Sequence, residues 1–236
     1  PAPPRGAAVA VLPDYVELRC LSNFSFLRGA SHPEELVQRA HALGYRGLAL
    51  TDECSMAGVV RAHVAARECG LPLLLGSQFR VEGEPPFTLV LLATSARGYA
   101  HLCTFITALR RRAPKGQYRL AREAIDPAAL PECLAIAIPA PDATRDDTDA
   151  LARWLLRHFT GRCWLGVEHR RELGDEQRLQ HLRHSGALCA VPLVAVGDVQ
   201  MHVRSRQPLH DVLTATRLNR PLRDCGLDLA PNAEQH

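Results

Sequence analysis

The sequence lacks the patterns that mark membrane-spanning, disulfide-bonded and zinc-knuckle proteins. No run of apolar residues reaches the roughly 18 needed to cross a bilayer. The chain has eight cysteines in 236 residues, but no two of them form a CxxC pair. Thiols scattered through apolar stretches are typical of reduced, buried cysteines. We therefore expect a cytoplasmic protein with no membrane partner.

Lysine is almost absent. Lys115 is the only lysine among 28 basic residues, so nearly all the positive charge is arginine. A net charge of +3 allows at most a local basic patch. Two arginine-rich stretches, 110–119 and 204–211, are candidates for contact with a DNA backbone. The first stretch can equally be a solvated helix end, with its basic residues placed favourably against the helix dipole, and the second can be a solvated helix start.

What the chain does contain is an alternation of apolar strands with helices. Strands are predicted at 15–21, 46–51, 71–81, 86–93, 132–138, 162–168 and 191–196. Their residues are apolar on both faces, as in parallel strands covered by helices. No linker or composition break follows residue 14, so a single α/β domain over 15–236 is favoured, with 1–14 as a flexible leader. A (β/α) barrel is predicted, and an open doubly wound sheet is the alternative.

In such barrels the chemistry lies at the C-terminal ends of the strands. Those ends carry Arg19, Leu21, Asp52, Glu53, Gln78, Glu168, His169, Asp198 and Gln200. Several carboxylates on one rim could bind a divalent cation. Zinc, manganese and iron favour imidazole ligands, however, and only His169 is available. The alternative is structural: Asp52 caps the helix that begins near residue 55, and Asp198 caps a loop.

Several long segments resemble a known family. They include "ELRCLSNFSFLRGASHPEELV" (17–37), "LALTDECSMAGVVRAH" (48–63) and "PLVAVGDVQMHVRSRQPLHDVLTATRLNRPL" (192–222). These segments resemble the N-terminal region of bacterial C-family DNA polymerases, above all the error-prone, ImuC-type alpha subunits. The resemblance covers nearly all of 15–236. It implies a PHP (polymerase and histidinol phosphatase) domain, a distorted seven-stranded (β/α) barrel that forms one domain of a larger polymerase.

The resemblance also implies where a metal cluster would lie. Active family members hold metals for phosphoester hydrolysis with His, Asp, Glu and Cys, and some use them for 3′–5′ proofreading. In this sequence the ligand positions fall on Arg19, Leu21, Arg28, Glu53, Gln78, Thr88, positions 139–141, Asp198 and Gln200. Only Asp198 keeps a family ligand, and Glu53 is a candidate substitute. We therefore predict a degenerate site with no catalytic residue, metal or cofactor in this domain.

Arg19 and Arg28 would place fixed positive charge where the metals bind. A guanidinium repels metal ions and does not lose its proton. Carboxylates clustered on one rim need compensating charge. We therefore predict a salt-bridge network in place of the metals. Its candidate members are Arg19, Arg28, Asp52, Glu53 and Asp198.

Three functions are compatible with these observations. The favoured one is a non-catalytic structural and interaction module of an error-prone translesion polymerase, without proofreading. The alternatives are a residual metal-dependent 3′–5′ exonuclease or phosphoesterase, and an unrelated barrel hydrolase. The resemblance implies partners in the remainder of the polymerase chain, other translesion-synthesis proteins and the sliding clamp, with DNA contact through the basic stretches. Polymerisation, which uses magnesium in the family, would belong to regions beyond residue 236.

Overall fold

The computed structural model describes residues 14–236, so the predicted leader lies almost wholly outside the described residues. Seven strands form one sheet in chain order. They are β1 (Val16–Cys20), β2 (Gly47–Leu50), β3 (Leu73–Val81), β4 (Phe87–Ala93), β5 (Cys133–Pro139), β6 (Cys163–Val167) and β7 (Leu193–Ala195). Each strand lies where the apolar stretches predicted it, with ends that differ by at most two residues.

The sheet curls into a nearly closed barrel. The Leu21 amide donates to the Val199 carbonyl at 2.8 Å, and the Val199 amide donates to the Arg19 carbonyl at 3.0 Å. These bonds join the segment after β7 to the end of β1. Neighbouring strands are parallel except β3–β4 and β4–β5, which are antiparallel because a short turn connects β3 to β4. The distorted barrel is confirmed, and the open-sheet alternative is wrong.

Residues 14–236 contain six α-helices, and the first five pack against the strands on the outside of the barrel. They are α1 (Pro33–Ala42), α2 (Val59–Cys69), α3 (Ala96–Arg111), α4 (Arg145–His158), α5 (Asp175–Cys189) and α6 (Gln207–Leu218). Beneath α3 and α4 lies the largest apolar core, which includes Phe79, Leu102 and Phe159. Complete burial of such a side chain stabilises the fold by about 1.5–3 kcal/mol. This packing fixes the strands, and the strands fix the side chains at their ends.

Helix α2 begins later than the sequence predicted. It starts at Val59 rather than near residue 55, because the Ser55 amide donates to Ser77 Oγ at 3.2 Å and residues 57–58 form a turn before the helix. Asp52 does not cap this helix. A side chain at Gly58 would place its Cβ 2.8 Å from Asp52 Oδ2, so glycine permits the close approach.

Two further expectations concern thiols and membranes. All eight cysteines are unpaired, and six of them are buried, as their scattered positions indicated. Among residues 14–236, no helix combines the length and apolar character that a bilayer span requires.

Candidate functional site at the barrel rim

Arg19, at the end of β1, connects several strand ends. Its Nη2 lies 3.0 Å from Asp198 Oδ1, its Nη1 pairs with Glu168, and its Nε donates to Gln78 Oε1 at 2.9 Å. Burial lowers the pKa of the Arg19 guanidinium, and the charge of Asp198 acts in the opposite direction. One guanidinium thus reaches side chains carried by β3 and by the segments that follow β6 and β7.

Asp198 is held by donors from the protein itself. Its backbone has a φ of 51°, a left-handed conformation that is uncommon for a residue with a Cβ. Its Oδ2 accepts from Arg170 Nη1 at 3.1 Å, Gln200 Nε2 at 3.1 Å and Gln235 Nε2 at 2.6 Å. Protein donors therefore surround the carboxylate at which the resemblance predicted a retained metal ligand.

Arg170 completes the arrangement and was missed by the sequence reasoning. Besides Asp198, it pairs with Glu168, Nη2 to Oε2 at 3.5 Å. Arg19, Glu168, Arg170 and Asp198 thus alternate in sign around a closed ring of four ion pairs, which we call the arginine–carboxylate ring. The stretch "EHRRE" (168–172), directly after β6, could have pointed to it, because it places arginines beside the strand-end Glu168.

A second pair lies elsewhere on the rim. Arg28 Nε is 2.6 Å from Glu53 Oε2, and the Tyr118 hydroxyl donates to Glu53 Oε1 at 2.9 Å. Arg80 Nε stands 3.6 Å from the same oxygen. Burial lowers the pKa of Arg28 and Glu53 raises it. Burial raises the pKa of Tyr118, so its hydroxyl stays protonated and donates.

Asp52 has different partners from those predicted. Its carboxylate accepts from the Ser22 amide at 2.8 Å and from the hydroxyls of Ser22 and Ser25, both at 2.7 Å. Within residues 14–236 it makes no ion pair. Burial raises its pKa, while the bonds from Ser25 and Ser22 lower it. The structure therefore brings Arg19 to Asp198 and Arg28 to Glu53, but places Asp52 among serines.

The remaining family positions offer little to a metal ion. Leu21 is buried and apolar, and Thr88 lies within β4, paired with Arg80 and Ile138. Residues 139–141 line a cavity of about 40 Å³ beside Glu168. In the part of the chain that the structure describes, no three His, Cys, Asp or Glu side chains are placed to hold a metal. The described residues therefore present no group of three ligands at this rim.

A wide cleft opens beside Arg28. Its volume is about 610 Å³, and its lining includes Phe24, Phe26, Tyr118 and Arg217. The Phe26 residue is 81% exposed. The side chain of Arg217 is exposed, and its guanidinium has no hydrogen-bond or ion-pair partner among residues 14–236. We call this surface the rim cleft.

The two arginine-rich stretches are partly engaged within the fold. In the first, Arg110 donates to the Cys54 and Glu53 carbonyls, both at 3.1 Å, so it is not free to bind phosphate. In the second, Arg204 pairs with Glu234 and Arg206 with Glu35. The freest guanidinium at the rim cleft, Arg217, lies outside both stretches.

The PHP domain family matches residues 17–140, which is more than half of the chain. The chain belongs to the PHP family. It is 54% identical over 222 residues to the error-prone DNA polymerase of Methylococcus capsulatus, covering 94% of this chain and 21% of that protein. It is 52% identical over 241 residues to the error-prone DNA polymerase of Ralstonia nicotianae, covering 95% and 22%. The chain thus spans about a fifth of the length of these curated relatives.

Solved structures support the fold of this PHP domain. An amidohydrolase from Chromobacterium violaceum superposes with a TM-score of 0.63 at 16% identity, covering 79% of this chain and 87% of that one. A structure from Bifidobacterium adolescentis gives a TM-score of 0.60 at 19% identity, covering 81% and 89%. At such identities the likeness concerns the barrel alone, and it confirms the predicted PHP-type fold.

Proposed function

We propose that this PHP domain is a non-catalytic structural and interaction module of an error-prone DNA polymerase that acts in translesion synthesis. The polymerase would contribute to DNA damage tolerance and induced mutagenesis, and this domain would add no proofreading exonuclease. Support comes from identities of about half to error-prone polymerases over nearly the whole chain. DNA synthesis, with its magnesium ions, would belong to regions outside this chain.

The arginine–carboxylate ring is the observation that carries the proposal. Arg19 and Arg170 place two fixed positive charges against Glu168 and Asp198. A guanidinium keeps its proton at neutral pH and repels a metal ion at short range. A metal would have to displace these groups and leave buried charges unpaired, which is costly. The ring would therefore supply the charge compensation that metals supply in active relatives.

The partners follow from the same assignment. The first is the remainder of the polymerase chain, since the relatives are four to five times as long as this domain. Contacts with the sliding clamp and other translesion-synthesis proteins would be made through the complete polymerase. A cytoplasmic location, expected from the scattered cysteines, stays a prediction.

Metal content and nuclease activity test the proposal together. The purified protein is dialysed against zinc and manganese, then against metal-free buffer, and analysed for bound metal. We expect far less than one metal per chain and no degradation of single-stranded DNA, while a metal-dependent nuclease assayed in parallel degrades it. Stoichiometric metal, with nuclease activity that Asp198→Ala or Glu53→Ala abolishes, would instead establish the residual exonuclease or phosphoesterase.

The rim cleft favours a second role, contact with single-stranded DNA. An exposed aromatic ring offers a stacking surface for bases, and nearby guanidiniums attract phosphates. Phe26 is exposed beside Arg28 and Arg217, and Tyr118 lines the same cleft. This combination of aromatic and basic side chains supports DNA contact more directly than the arginine-rich stretches do.

Binding of fluorescently labelled single-stranded DNA tests this role. We expect Phe26→Ala to weaken binding about tenfold, since stacking of a base on an aromatic ring contributes about 1–3 kcal/mol. Arg217→Ala should weaken binding at low salt and reduce the slope of log affinity against log salt by about one, since it removes one phosphate contact. Leu173→Ala and Arg67→Ala, at exposed positions away from the cleft, are the matched controls. Equal loss in the controls would refute a specific site.

A further inference from the structure

We propose that Asp198, the surviving family ligand, anchors the segment 232–235, so that the arginine–carboxylate ring sets the path by which the chain leaves the barrel. Gln235 is 6% exposed. Its side-chain Nε2 donates to Asp198 Oδ2 at 2.6 Å. Its carbonyl accepts from the Gln200 amide at 2.9 Å and the Met201 amide at 3.1 Å. The segment therefore approaches the rim with both backbone and side chain.

Neighbouring residues hold the same segment from the other side of the ring. Asn232 Nδ2 donates to the Arg170 carbonyl at 2.8 Å, and its Oδ1 accepts from the Glu234 amide at 3.0 Å. Glu234 pairs with Arg204 at 2.7 Å. Arg170 thus touches Asp198 with its guanidinium and Asn232 with its backbone, which makes it the link between ring and segment.

The chemistry of Gln235 suits this position. Asp198 Oδ2 already accepts from Arg170 and Gln200, and the carboxamide adds a third donor without adding charge. A carboxylate at position 235 would instead face the carboxylate of Asp198, and two like charges in a buried site repel. The segment supplies a donor to the ring, and the ring holds the segment. A change to either should therefore loosen the other.

The consequence for the polymerase rests on the proposed function. The curated relatives are four to five times as long as this domain, so in the proposed polymerase the chain would continue from this segment into the polymerase body. Asp198 would then act as a positioning residue for that connection. Asp198 would then no longer bind a metal but would still position the segment 232–235 within the polymerase.

Local hydrogen exchange in the complete polymerase tests the anchor. The variant Gln235→Glu keeps the shape of the side chain and replaces its donor with a negative charge. We expect exchange in peptides covering 229–236 to rise at least about tenfold at neutral pH, which corresponds to loss of one hydrogen bond to a charged group. Peptides from α3 and α4 should exchange as in the wild type.

Two further variants sharpen the test. Gln207 Nε2 donates to Asp211 Oδ1 at 2.7 Å on α6, so Gln207→Glu is the same change beside a carboxylate, away from the segment. This control variant should leave hydrogen exchange in peptides covering 229–236 as in the wild type. The double variant Asp198→Asn with Gln235→Glu exchanges the roles of donor and acceptor and keeps the net charge. We expect it to bring the exchange back towards wild type.

Some outcomes would overturn the anchor. Unchanged exchange in 229–236 for Gln235→Glu would do so, as would an equal rise throughout the barrel, or a double variant no better than Gln235→Glu alone. These readouts do not depend on metal. If the exchange results refute the anchor, the proposed metal-free, non-catalytic function can still hold. Stoichiometric metal in the elemental analysis would refute that function without bearing on the hydrogen bonds of Gln235.

Discussion

Arginine has different surroundings on the two sides of the barrel rim. In the arginine–carboxylate ring, the side chains of Arg19 and Arg170 are only 10% and 17% exposed, and each meets at least two carboxylates. At the rim cleft, Arg28 pairs with the carboxylate of Glu53, which Arg80 also approaches from outside the cleft, and Arg217 is exposed. One side is closed and charge-balanced, while the other is open and positively charged. The first should govern stability and the second should govern binding.

The largest expected effect is at the closed side. Arg19→Ala would leave Glu168 and Asp198 without one of their guanidiniums in a buried site. Removal of one partner from a buried ion pair costs about 3–5 kcal/mol. We expect that loss in the free energy of unfolding measured by urea denaturation. Arg80→Ala, which removes an arginine that is 60% exposed, is the control and should cost less than about 1 kcal/mol. Equal losses would erase the contrast between the two sides.

A smaller loss is expected for Arg28→Ala. In its ion pair with Glu53, the side chain of Arg28 is 22% exposed to solvent. Loss of one partner from a buried ion pair costs about 3–5 kcal/mol and an exposed pair contributes about 0–1 kcal/mol, so the cost for this partly buried pair should lie between the two. The denaturation experiment used for Arg19 measures it. A loss as large as that of Arg19→Ala would show that the cleft side is as tightly coupled as the ring.

Glu17 gives a pH test of the closed side. Among residues 14–236 this buried carboxylate has no arginine partner. It accepts from the amides of Arg19 at 2.7 Å and Gly197 at 2.9 Å, and from the Tyr15 hydroxyl at 2.8 Å. Burial raises its pKa above 4.5, and the two amide bonds act to lower it. The folded chain therefore holds this proton more tightly than the unfolded chain does. Linkage makes the corresponding stability highest below pH 4.5 and reduces it as pH rises through the raised pKa.

Glu17→Gln should remove that decline, because glutamine cannot ionise and its Oε1 can still accept the same two amides. Unfolding free energies of the two proteins, measured from pH 4 to pH 8, should diverge as pH rises, with the variant the more stable. Asp52, whose pKa is also raised, is unchanged in both proteins and cancels in the difference. Parallel curves would mean that Glu17 ionises as readily in the folded chain as in the unfolded chain.

The smallest effect on stability is expected at the open side. Phe26→Ala removes an exposed ring, so the free energy of unfolding should change by no more than about 0.5 kcal/mol. Affinity for single-stranded DNA should fall in the same protein. Thermal unfolding and DNA binding measured on one preparation check both statements. A large loss of stability would place Phe26 among the structural residues and weaken the contrast.

Much of the barrel followed from the sequence because its signals are local. Apolar stretches with helical segments between them predicted all seven strands to within two residues, and their order in the sheet is their order in the chain. The sequence also indicated which positions occupy the strand ends, and the resemblance assigned the ligand positions. The start of α2 was misplaced because a contact with Ser77, on β3, decides it.

The partners of those side chains were decided only by the tertiary structure. Nothing near Arg19 in sequence indicates that it meets Glu168, 149 residues away, and the Asp198 neighbours Arg170 and Gln235 were not anticipated. The carboxylate of Asp52 accepts hydrogen bonds from the hydroxyls of Ser22 and Ser25 and, among residues 14–236, makes no ion pair with an arginine. Sequence pattern determines which residues reach the rim, because strand periodicity is a local property. Which charges then pair depends on barrel closure, because closure brings distant strand ends within hydrogen-bonding distance.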